Sequence, residues 1–108
     1  MLVVTRYRVA AKRFGVVGCD AIAGDDAEAF RRDARDALDI LATRPGWVSG
    51  RLGRNADEPD LWVLTTEWVN VGSYRRALSP FEVKMTAVPL LSRCIDEPTA
   101  YELVEQVD

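Results

Sequence analysis

At 108 residues the chain has the length of one domain, and 48% hydrophobic residues are enough for a small core. A net charge of −3 argues against nucleic acid as the main partner, because phosphate binding needs a concentrated basic surface. The chain has no histidine, which removes Ser-His-Asp and Cys-His nucleophiles, His-ligated metals and the usual proximal haem ligand.

The first residues, MLVVTRYRV, lack a basic segment followed by a long apolar run, so they do not read as a signal peptide. No stretch approaches the roughly 18–20 apolar residues of a membrane helix. The expected location is therefore cytoplasmic, with no membrane partner. Cys19 and Cys94 are then best read as reduced thiols, and without C-x-x-C spacing they suggest no zinc site.

Residues 2–9 alternate as a first strand, with Val3, Thr5, Tyr7 and Val9 on one face. Arg6 and Arg8 lie on the other face beside Val4, so that face needs acidic partners or water. Residues 10–24 hold Gly15, Gly18 and Gly24 and read as a long loop or an extra hairpin, either a pocket lid or an edge decoration. Their spacing matches no phosphate-binding fingerprint.

Asp25 or Asp26 is the expected N-cap of a first helix, with Glu28 in its first turn. Phe30, Ala34, Leu38 and Leu41 recur at helical spacing, and Pro45-Gly46 stops the run. Residues 47–54 form a second strand, in which Trp47, Ser49, Arg51 and Gly53 are expected on one face. Residues 55–60 read as a turn and residues 61–68 as the returning third strand.

A helix follows from Val71, capped by Asn70 and carrying Tyr74, Leu78, Phe81 and Met85. Ser79-Pro80 breaks it, and Pro80 suits the first turn of a second piece that Pro89 ends. Residues 100–107 alternate as a last strand.

The order strand, helix, strand, strand, helix, strand is the split βαβ, or ferredoxin-like, α+β arrangement βαββαβ, read here as a single domain over residues 1–108. Two helices cover only one face of a four-stranded antiparallel sheet. The other face must meet water or a second subunit.

The same residues resemble the antibiotic biosynthesis monooxygenase family. The landmarks are Arg44-Pro45-Gly46-Trp47 before the second strand, Trp62 to Trp68 as the third, the passage from Trp68 to Leu78, and Ser79-Pro80-Phe81. The resemblance implies a dimeric α/β barrel, a homodimer whose sheets pack face to face, with each pocket between sheet and helices.

The haem-degrading branch of that family would place an asparagine, a tryptophan and a histidine at about Tyr7, Ala77 and Ala87, and none matches. Haem degradation is not expected. The quinone-forming branch, which uses neither metal nor flavin, resembles this chain at Trp68 and Tyr74. Its asparagine and arginine would fall near Leu64 and Val88 and are missing.

Two classes of function stay open. One is a cofactor-independent monooxygenase acting on a hydroxylated aromatic or polyketide-like molecule, with Trp68 and Tyr74 as the catalytic pair. Tyr7, Trp62, Phe81 and Met85 would then be substrate contacts, with no metal or cofactor. The other is a non-catalytic dimeric module that binds a small apolar or aromatic ligand, or an accessory dimer whose cavity is packed shut. Core packing is the first reading of Trp62 and Trp68 and pocket lining the second, since large aromatics dominate small cores. The tyrosine hydroxyls need partners when buried and can hold a phenol or guide a proton. Glu67, Arg6, Arg8 and Arg51 are expected to form ion pairs on the dimer-facing sheet surface.

Overall fold

The computed structural model describes residues 1–9 and 20–108, with only the backbone described over 20–26. Of the stretch 10–24 read as a loop or hairpin, residues 10–19 lie outside the described residues. Strand β1 spans Leu2–Arg8, helix α1 Asp20–Leu41, β2 Trp47–Arg54 and β3 Leu61–Trp68. Three short helices follow, α2 (Val71–Ala77), α3 (Phe81–Thr86) and α4 (Val88–Leu91), and then β4 (Ala100–Tyr101). The strands form one antiparallel sheet in the order β2-β3-β1-β4. This is the ferredoxin-like topology expected from the sequence. No helix among the described residues is long and apolar enough to cross a membrane.

Strict alternation sends Val3, Thr5 and Tyr7 of β1 and Trp62, Leu64, Thr66 and Trp68 of β3 to the buried face. Phe30, Ala34, Ala37 and Leu41 of α1 pack on them, with Val83, Ala87 and Leu90 from α3 and α4. The opposite face, with Leu2, Val4, Leu61 and Val63, is only half-buried.

Four local expectations are corrected. Helix α1 starts at Asp20, before the Asp25 or Asp26 cap read from the sequence. Gly24 lowers helix propensity by about 1 kcal/mol relative to Ala but does not end a helix. Pro89 does not terminate the helical region, because it falls in the first turn of α4, where no N–H is required.

The last strand is two residues long rather than eight. β4 meets β1 through Leu2↔Tyr101 and Val3↔Ala100, so its continuation runs past the start of the β1 ladder. In β2, Trp47 pairs with Trp68 but Ser49 pairs with Glu67, which leaves Val48 as a bulge. A bulge shifts the alternation by one residue, so Trp47 joins Gly50 and Leu52 on the helix side instead of Ser49 and Arg51 on the other.

The arginines of β1 find acids, but not Glu67. Arg6 donates from Nε and Nη2 to the two carboxylate oxygens of Glu97, at 2.6 and 2.7 Å. Arg8 pairs with Glu58 at 2.7 Å and Asp60 at 3.3 Å. The partners thus come from loops flanking the sheet, and Arg6 holds the Glu97 carboxyl below its usual range.

Gly46 closes the passage from α1 into β2 at φ +89°, where an L side chain is strained. A Cβ there would also sit 2.4 Å from Ser73 Cβ in α2. Gly46→Ala is expected to destabilise the fold by about 2 kcal/mol or more, read as a fall in the thermal or urea midpoint. A midpoint equal to that of the unmutated chain would contradict this account of the turn.

Candidate active site

The passage from β3 into α2 is built by Asn70, whose side-chain oxygen accepts the Ser73 N–H at 2.8 Å and caps α2. That cap sets the direction in which α2 leaves the strand and returns Tyr74 over Trp68. The Trp68 and Tyr74 rings are 5.7 Å apart at 52°. Trp47 packs edge-on against Trp68 from the bulged strand, at 5.4 Å and 88°. Gly50 makes room for this, because a Cβ there would lie 2.4 Å from the Trp47 ring. Trp68 is 1% exposed, and its indole N–H donates to Thr66 Oγ1 at 2.9 Å.

A second aromatic row runs beside the first. Tyr7 lies 5.0 Å from Phe30, and Phe30 lies 5.5 Å from Trp62. Arg93 stands over Phe30 at 5.9 Å and Arg54 over Trp62 at 5.4 Å. Tyr7 is 2% exposed, and its hydroxyl has no hydrogen-bond partner among the described residues. Burial pushes the Tyr7 phenol up to about 12. The nearby Thr5 hydroxyl opposes this without reaching hydrogen-bond geometry, being turned to the Leu64 carbonyl at 3.3 Å. Tyr74 is also raised, by burial first and then by the Cys94 thiol, which acts on Tyr7 as well. Both tyrosines are therefore protonated at neutral pH. They can donate a hydrogen bond to an anionic oxygen but cannot serve as a resting base.

Of the six residues expected at a pocket, the structure brings Trp68 and Tyr74 into contact and puts Tyr7 and Trp62 in the adjoining aromatic row. It does not bring Phe81 and Met85 to them. These are 74% and 63% exposed and face outward on α3. The break at Ser79 and Pro80 interrupts the helical phase that would have carried Tyr74's face on to Phe81, and α3 buries Val83 instead. Trp62 is the one of the six that lines a cavity of about 940 Å³ between α1 and β2.

Three contributors escaped the sequence reading. Trp47 was assigned to the other face because a bulge leaves no mark in the alternation. Phe30 was read only as helix core. Cys94 lies in a connection with no periodic pattern.

The phenol ionisation supplies a test. A spectrophotometric titration at 295 nm is expected to show one tyrosine ionising near 12 that Tyr7→Phe removes. Because the folded-state value lies above the ordinary 10, Tyr7 favours folding below pH 10 and loses that contribution as pH rises toward 12. The unmutated chain should lose stability over this window faster than Tyr7→Phe. Equal pH slopes would refute the burial of an unpartnered phenol.

The comparisons bear on this arrangement. The model of a family described as antibiotic biosynthesis monooxygenase matches residues 16–83. The solved structure of SnoaB, a cofactor-independent oxygenase from Streptomyces nogalater, is similar at TM-score 0.71 and 18% identity, over 98% of this chain and 93% of that one. A protein from Deinococcus radiodurans described as an antibiotic biosynthesis monooxygenase is similar at TM-score 0.68 and 18% identity, over 100% of this chain and 97% of its own. A conserved protein from Methanosarcina mazei Go1 is similar at TM-score 0.64 and 18% identity, over 92% and 84%. At these identities the likeness establishes the fold. No curated protein matches the chain.

Proposed function

Because the chain belongs to the antibiotic biosynthesis monooxygenase family, we propose that it is a cofactor-independent monooxygenase of a hydroxylated aromatic or polyketide-like molecule. The observation that carries the reading is the buried Tyr7 hydroxyl, without a hydrogen-bond partner among the described residues, in the aromatic row adjoining Trp68 and Tyr74. An orphaned buried donor costs about 1–3 kcal/mol, and a phenolate oxygen of a bound substrate would satisfy it.

The chemistry suits these residues. An electron-rich hydroxyaromatic, once deprotonated, passes an electron to dioxygen itself. Overall, a ring methylene and O₂ give a ring carbonyl and water. The protein's task is to hold the phenolate, stack the rings and exclude water. In this reading Tyr7 donates to the substrate oxygen while Trp68 and Tyr74 orient the ring system. No histidine is needed. The substrate must be acidic enough to ionise on its own, since neither tyrosine is a base at neutral pH.

A second reading, a non-catalytic ligand-binding module of the same fold, is favoured by one observation. The Trp68 indole N–H is already satisfied by Thr66 and its ring is fully packed.

Oxygen uptake with a hydroxyanthrone, without added metal or flavin, separates the two. Turnover is expected, falling at least about tenfold in Tyr7→Phe and in Trp68→Phe. No uptake favours the binding module, and unchanged turnover in both folded variants would refute the assigned site.

The assembly we infer is a homodimer through the half-buried sheet face, supported by its apolar residues Leu2, Val4, Leu61 and Val63 and by the uncovered side of a one-sided sheet. In sedimentation velocity the chain is expected as a dimer and Val63→Glu as a monomer. A monomeric unmutated chain would count against the assembly.

A further inference from the structure

The cavity of about 940 Å³ between α1 and β2 has features that the aromatic pair at Trp68 does not use. Its floor is apolar, with Leu38, Leu52 and the edge of Trp62. Its rim carries four arginines, Arg31, Arg32 and Arg35 from α1 and Arg54 from β2, against the carboxylates of Glu28 and Asp36, and Arg51 borders it from the other face of the edge strand. A chain of net charge −3 thus collects a positive excess in one groove.

The outer face of a solvated helix often carries charge, so α1 alone would mean little. What exceeds that background is convergence from a second element. Arg31 is paired with Glu28 at 3.5 Å and Arg35 with Asp39 at 3.1 Å. Arg32, Arg51 and Arg54 have no carboxylate partner among the described residues. Arg54 stands over the Trp62 ring. The cations are all guanidinium, although the chain has two lysines, Lys12 and Lys84. A guanidinium presents a planar fork that matches a carboxylate with two parallel hydrogen bonds and also stacks on aromatic faces.

We propose that this groove is a binding site for a planar aromatic carboxylate, whose ring lies on the Leu38, Leu52 and Trp62 floor and whose carboxylate is held by Arg54 at the rim. The volume suits one small molecule, and the chain's net negative charge disfavours an extended polyanion. The groove runs along β2 from Gly50, opposite Thr66, to Arg54, opposite Trp62. Its occupancy does not depend on the oxygenase reading.

The test is isothermal titration calorimetry with 2-naphthoate, its uncharged analogue 2-naphthalenemethanol and inorganic phosphate. The naphthoate is expected to bind, and to weaken as salt is raised. The alcohol should bind at least about tenfold more weakly, the difference expected for losing charge-assisted hydrogen bonds. The variant Arg54→Gln, altered only at an exposed side chain, should lose naphthoate affinity by about the same factor. Lys84→Gln, an equal charge loss on α3, should bind as the unmutated chain does. Absence of naphthoate binding, equal affinity for the alcohol, or unchanged affinity in Arg54→Gln would overturn the proposal. Phosphate binding as tight as naphthoate would overturn its aromatic half.

Discussion

The inward alternation of β3 is the constraint on which the rest of this structure depends. Trp62, Leu64, Thr66 and Trp68 all point to one side of a central strand paired on both edges. Large aromatics at the two ends of that row demand cover, and α1 and the short helices supply it. Everything that bears on chemistry is arranged along this row. Trp68 meets Tyr74 at one end, and Trp62 meets Phe30, Tyr7 and Arg54 toward the other.

Two small devices complete the packing at the Trp68 end of that row. The bulge at Val48 turns Trp47 inward against Trp68, and Gly50 leaves the space for it. The Asn70 cap then aims α2 so that Tyr74 closes over the same indole. Rigid aromatic packing of this kind limits side-chain motion and keeps water out. Both are conditions that the proposed oxygenase reading requires. Burial also holds Tyr7 and Tyr74 protonated at neutral pH, which makes them hydrogen-bond donors and not bases.

The one-sided cover has a further consequence. The face bearing Leu2, Val4, Leu61 and Val63 is flanked by Arg6 and Arg8, whose acids come from Glu97, Glu58 and Asp60 in the flanking loops. Those exposed or half-exposed ion pairs contribute little to stability individually. They do leave the arginines locally neutralised beside an apolar patch, a combination compatible with a covered face.

Much of the fold was legible without coordinates, and the reasons are local. Period-2 alternation marked β1 and β3, since a strand's faces are decided by its own residues. The cap at Asn70 and the stops at Pro45-Gly46 and Ser79-Pro80 are short-range chemistry, and the element order that follows from them is the ferredoxin-like one. What depended on tertiary structure was phase and register. A bulge moved Trp47 to the other face, a helix break turned Phe81 and Met85 outward, and the pairing register with β1 limited β4 to two residues. The meeting of Arg54 with the α1 arginines beside Trp62 was equally invisible, because it joins side chains distant in the chain. Sequence determines which residues must be buried; only packing decides which of them meet.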